Sequence, residues 1–191
     1  MKTVEQLVGY AAKFNQFSQP IGGNFIEIIR PGAFKKTIAK DDIRALINHD
    51  SNGLIGRNRA GTLRLEEDSV GLKIMIHPPD TDWGRGVLES IKRGDLTGMS
   101  FAFAVPIGGD RWLRPPKGGN LPIRELLEVQ LFEVSPVTFP AYLSSSISVV
   151  GGSTGRSVTQ HSPSADSQRI GWPALGVRRR RLELLRLELC A

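Results

Sequence analysis

With 191 residues, of which 40% are hydrophobic and 23% charged, the chain has the composition of a globular protein and the length for one domain with an appendage. Its single cysteine, Cys190, cannot close an internal disulfide, and no apolar run nears the roughly 18 residues of a membrane-spanning helix, so a disulfide scaffold is excluded and no spanning helix is expected. The formal net charge of +6 is concentrated at one end: residues 1–150 hold 18 Lys+Arg against 16 Asp+Glu and residues 151–191 hold 7 against 3, so nucleic-acid binding by the main body is not called for.

The N-terminus lacks the charged-then-apolar layout of a signal peptide, which places the protein in the cytosol where it is made. The 21 glycines and 12 prolines supply many turns and favour a strand-rich fold. Val8 to Phe17 and Asn24 to Ile29 read as strands of a hairpin joined by the Pro20 to Gly23 turn. Pro31 suits the start of a helix, and Phe34 with Ile38 at i and i+4 gives it one or two turns. In Asp42 to Asp50 the residues Ile43, Ala45, Ile47 and His49 share a parity, so a strand would carry the histidine at the end of an apolar row. That histidine is either a candidate base or an ordinary strand-end side chain. Gly56 to Leu65 and Val70 to Ile76 read as a second hairpin around Glu66 to Ser69. Asp82 can cap a helix with Trp83, Val87, Leu88 and Ile91 on one side, Glu89 and Arg93 on the other, and Gly94 as its stop.

The stretch Thr97 to Val105, TGMSFAFAV, then alternates, with Met99, Phe101, Phe103 and Val105 on one face and Ser100, Ala102 and Ala104 on the other. A lone serine among alanines leaves room for a substrate backbone to approach its hydroxyl. Gly108 to Pro122, with four glycines and three prolines, reads as a mobile loop. Leu126 to Val134 alternates again, so that Glu133 continues the Leu127, Val129, Leu131 row. An unpaired carboxylate there would cost several kcal/mol to bury, so Glu133 needs a partner such as a histidine unless the strand bulges or ends. From Ser144 to Gly176 the chain is rich in Ser, Gly, Thr and Pro, as in a linker. Residues 177–191 read as a basic tail on which Leu182, Leu185 and Leu189 would align if it were helical.

Ser100, His49 and Glu133 are the residue types of a nucleophile, a general base and an orienting carboxylate. Serine attacks at neutral pH only when a base accepts its proton, and the carboxylate fixes the imidazole tautomer and steadies the imidazolium. No pair of histidines has ligand spacing, so no metal site and no cofactor is expected. The absence of G-x-S-x-G disfavours an α/β-hydrolase elbow.

The blocks GYAAKFN, FIEIIRPGAF, LINHD with IGR and GTLRL, GLKIMI, GDLTGMSFAF and EVSPVTFPAY, in this order over roughly residues 8 to 143, resemble the prohead (procapsid maturation) serine proteases of HK97-like tailed phages. The resemblance implies His49 of the NHD block and Ser100 of the GMSF block as the catalytic pair, with Glu133 of the EVS block chosen as third member. Herpesvirus assemblins, similar in fold to that family, use a second histidine there; this chain has none in the matching region. The resemblance further implies a mainly β fold with flanking helices, an antiparallel β-barrel, and a likeness to enzymes that are dimeric in viruses. The implied activity is endopeptidase cleavage of the major capsid protein and its scaffold segment inside the procapsid in the host cytoplasm, with self-cleavage. The domain on this reading is 1–143. Against it stand a non-catalytic capsid assembly or scaffold-binding module and a serine esterase.

Overall fold

The computed structural model describes residues 5–115 and 119–151. In chain order the elements are β1 (Gln6–Lys13), β2 (Ile26–Ile29), α1 (Lys35–Lys40), β3 (Arg44–Ala45), β4 (Gly56–Arg57), β5 (Leu63–Glu67), β6 (Gly71–Ile76), α2 (Asp82–Arg93), β7 (Gly98–Ala104), β8 (Asp110–Leu113), β9 (Ile123–Leu126), β10 (Gln130–Val137) and β11 (Ser146–Val150). A 3-10 turn at Asn58–Ala60 joins β4 to β5. The fold is mainly β, as expected. Its strands form two four-stranded sheets, ordered β11-β1-β6-β5 and β4-β3-β10-β7, and a three-stranded sheet, β2-β9-β8. Among the described residues, ladder hydrogen bonds close none of them into a barrel.

The second hairpin forms as β5 and β6, paired from Leu63 opposite Ile76 to Glu67 opposite Leu72. The long helix also forms, with Val87, Leu88 and Ile91 buried and Trp83 41% exposed. Its N-cap is Thr81 rather than Asp82: the Thr81 hydroxyl accepts from Gly84 N–H, and Asp82 begins the first turn. Gly94, at φ 82°, stops it in the left-handed conformation that costs a residue with a Cβ. The helix α1 is a turn and a half behind buried Phe34, and its Thr37 hydroxyl accepts the Leu131 N–H of β10 at 2.8 Å.

Five further expectations are corrected. The first strand stops at Lys13, because Asn15 turns the backbone to φ 57°. Both edges of β1 are taken by β6 and β11, so β2 pairs in parallel with β9, and the expected hairpin survives only as the bridges Phe17 to Ile28 and Ile21 to Phe25. The strand expected over 42–50 is two residues long, since Asn48 and His49 leave extended conformation at φ 51° and 61°. The Gly108 to Pro122 loop contains β8, whose Arg111 stands opposite Glu125 and whose Asp110 binds Arg124 Nε at 2.7 Å. The flanking glycines and prolines hide that four-residue strand. Finally, Leu126 to Val134 is two strands in two sheets. The Gly109 carbonyl accepts from both Leu127 and Glu128 N–H, and Ala33 accepts from Val129, which pulls the chain from one sheet to the next.

The core lies behind β7. Phe34 meets Phe14 and Phe101, and Phe101 stacks on Phe103 and Tyr142 at centroid distances of 5.3 and 5.7 Å. The outer strand β11 takes in Ser146–Val150, residues expected to begin the linker; Ile147 is buried against the core. The remainder of that stretch and the basic tail lie outside the described residues.

Candidate active site

His49 is placed by a turn. Residues Ile47 to Asp50 have both central residues at positive φ, and Asp50 N–H donates to the Ile47 carbonyl at 2.9 Å, the arrangement of a type I′ turn. A left-handed histidine stores backbone strain, which persists only where surrounding contacts hold it. From outside the turn, β10 and the residue after it supply such contacts. Leu46 and Asn48 donate to the Val134 and Pro136 carbonyls at 3.0 Å, and the Asn48 side chain accepts from Thr138 N–H at 2.9 Å. His49 N–H itself reaches the Ser135 hydroxyl at 3.3 Å.

Glu133 is placed by a bulge. The pairing of β10 with β7 shifts between Leu131 and Glu133: Leu131 faces Phe103, but Glu133 faces Ala102 and Ser135 faces Ser100. Residues directly opposite on antiparallel strands project to one face, so Glu133 and Ser135 share the face of Ser100 and Ala102. The alternation inferred from Leu127, Val129 and Leu131 is therefore broken where it matters. Leu127 is exposed, Leu131 packs with the phenylalanines, and Glu133 comes to the serine face through the extra residue, Phe132.

On that face the carboxylate is fully engaged. Glu133 is 6% exposed; its Oε1 lies 2.5 Å from His49 Nδ1, and its Oε2 accepts the Ser135 hydroxyl. With Nδ1 held, Nε2 is the ring nitrogen left to meet a hydroxyl. Ser100 is half-buried and stands one rung across from Ser135, on the edge strand of its sheet. Thus His49 and Glu133 are in direct contact, and Ser100 is the cross-strand neighbour of the residue that touches both. Among the described residues no hydrogen bond joins Ser100 to His49; such contacts often tighten only with substrate bound. Asp50, the other carboxylate near the imidazole in sequence, is spent on the turn, accepting from Asn52 N–H and Nδ2 at 2.9 and 3.1 Å.

Ser135 joins the site without being among the residues that strand parity singles out. It is wholly buried, its hydroxyl donates to the carboxylate and accepts from the histidine backbone, and one residue so joined fixes both partners. Its spacing of two from Glu133, on the same strand face, is the signal that could have found it. Two further devices steady the site. Arg57 of β4 binds Asp42 through Nε at 2.8 Å and through Nη2 at 2.5 Å, and holds its carboxyl down at about 2. This ties the residues just ahead of β3 to its neighbour strand. At the start of β7, Ser145 accepts Met99 N–H at 2.9 Å and donates toward Met99 and Tyr142 carbonyls, and a Cβ on Gly98 would stand 2.6 Å from Pro140 Cγ. The GMSF and FPAY blocks are thus two sides of one contact.

A histidine on a buried carboxylate beside a strand serine is the constellation of acyl transfer by serine. No curated protein matches the chain. A family model described as that of the Caudovirus prohead serine protease matches residues 1–160, beyond both ends of the blocks that carry the resemblance and over most of the chain. The chain belongs to the Caudovirus prohead serine protease family and is a serine protease of phage capsid maturation.

Proposed function

We propose that Ser100, His49 and Glu133 are the catalytic triad of this protease. The observation that carries the reading is the 2.5 Å contact of His49 Nδ1 with Glu133, on the same sheet face as Ser100. In the proposed step Ser100 Oγ attacks the scissile carbonyl while its proton passes to His49 Nε2. The imidazolium, steadied by Glu133, returns the proton to the leaving amine, and an acyl-enzyme remains. Water, deprotonated by the same imidazole, hydrolyses that ester and restores the serine. The test is incubation of the purified full chain with its cognate coat protein, fragments being read by mass spectrometry. Ser100→Ala is expected to abolish cleavage with an unchanged circular dichroism spectrum, since the alanines at 102 and 104 already occupy this face. Cleavage by a folded Ser100→Ala protein would refute the assignment.

The same reading takes the scaffold segment of the coat protein as the cleaved part, the procapsid interior as the place of action, a homodimer or higher oligomer as the working form, and residues 152–176 as a self-cleavage region. Their Ser, Gly and Pro content supports the last of these. It also takes the two four-stranded sheets as halves of one flattened barrel. Side-chain bonds support this at both seams: Ser145 beside β11 holds Met99 of β7, and Thr62 beside β5 holds Arg57 of β4 at 2.9 Å.

A further inference from the structure

The serine strand β7 is paired on one side only, with β10. Both backbone groups of Met99 turn away from β10 to the Ser145 hydroxyl, so that end of the free edge is plugged. Along an antiparallel strand the direction of N–H and C=O alternates, so Phe101 and Phe103 present theirs to the same edge. Among the described residues no strand pairs with it there. Beside this stretch lies a recess of about 260 Å³ whose lining includes Ser100, Phe103, Ile21, Phe25 and Ala141, with Glu27 and Arg124 at its polar end.

We infer that this recess is the specificity pocket for the polypeptide substrate, taking one large apolar side chain from a segment that runs extended along the β7 edge. The inference rests on Ser100 being the nucleophile. Three observations carry it. An open strand edge offers an extended chain main-chain hydrogen bonds while alternate side chains seek pockets, and this recess adjoins both the edge and the serine. Its walls are braced: Phe25 packs edge-on to Trp112 at 5.1 Å, and the Arg124 guanidinium lies over that indole. Its charges are already matched, so a charged substrate side chain finds no free partner. Arg124 Nε holds Asp110 at 2.7 Å, its Nη1 holds Glu27 at 3.2 Å, and Tyr142 donates to the other Glu27 oxygen at 3.3 Å. Burial pushes the Glu27 carboxyl up, opposed by Arg124, which further disfavours a second anion there.

The experiment is digestion of carboxymethylated casein, an unfolded chain with many sites, by the full-length protein, with cut positions sequenced by mass spectrometry. Wild type is expected to show Phe, Leu, Ile or Met at one fixed position relative to the cut. Ala141→Phe, which fills the recess and leaves the Ala141 carbonyl free to hold Gln19 N–H, should slow those cuts about tenfold or more and favour Ala or Gly there. Phe25→Ala, which widens it, should raise the share of Phe and Trp. Cut sites without a fixed apolar position, a pattern unchanged in both folded variants, or casein left intact while coat protein is still cut would each overturn the pocket. Casein cutting by Ser100→Ala would instead overturn the triad, and the pocket reading with it.

Discussion

Glu133 shows how a buried charge is made tolerable. A carboxylate at 6% exposure is destabilising by several kcal/mol unless its lone pairs are met, and here one oxygen faces an imidazole and the other a buried hydroxyl. Glu133→Gln keeps the shape but offers Nδ1 an amide that can present its own N–H, so the imidazole tautomer is no longer fixed. The turnover number should fall by about a hundredfold to ten-thousandfold with KM little changed, read by steady-state cleavage of a coat-protein peptide. On the proposed triad Ser135 acts as a positioning residue, because it touches His49 and Glu133 and not the reacting atoms. Ser135→Ala leaves a carboxylate oxygen unmet at a cost of about 1–3 kcal/mol and frees the left-handed His49. Its expected signature is kcat down about tenfold to a hundredfold, unchanged KM, and a lower melting temperature; loss of stability with normal kcat would make the residue merely structural. The residue types of the proposed triad are legible in the sequence because chemistry restricts them. The geometry was not: strand parity put His49 and Glu133 on regular strands, whereas a turn with two positive φ angles and an extra residue at Phe132 place them.

Elements with strong local signals formed as read. The helix with a 3.6-residue apolar stripe and a glycine stop, and the hairpin of β5 and β6, needed only local pattern. What failed depended on distant partners: β2 turns from β1 to β9, and β8 exists because Arg111 and Asp110 find Glu125 and Arg124 across the sheet. The tie between β3 and β4 is electrostatic and so depends on pH. Asp42 has its pKa lowered to about 2 by the Arg57 hydrogen bonds, with Arg44 and Arg59 adding attraction. A depressed carboxyl pKa contributes stability above the unfolded value near 4, and that contribution disappears as pH falls through about 2. Asp42→Asn should therefore lower the melting temperature at pH 7, and the gap from wild type should close over that window; a gap that is constant with pH would contradict the account. Beside β7, a chain ending at Leu143 loses Ser145 and β11, so Met99 N–H is orphaned and Ile147 no longer covers the core. It is expected to be insoluble or inactive, whereas one ending at Val158 should cleave coat protein at the full-length rate.

For the whole molecule, residues 1–150 are near neutral and the chain beyond them is cationic, so a packaging role for the tail can be tested apart from the chemistry. A chain ending at Val158 should work in solution yet be recovered in procapsids in smaller amounts than the full chain. That difference should shrink with added salt, because exposed charges are screened within about 10 Å at 0.1 M. Activation of Ser100 by a histidine held on Glu133 is read out by covalent labelling with a fluorophosphonate, which reacts with a serine only when its hydroxyl is activated. After digestion and mass spectrometry, the expected result is a single adduct on Ser100 in the wild type and none in His49→Ala. An adduct on another serine, or equal labelling of Ser100 without His49, would contradict it.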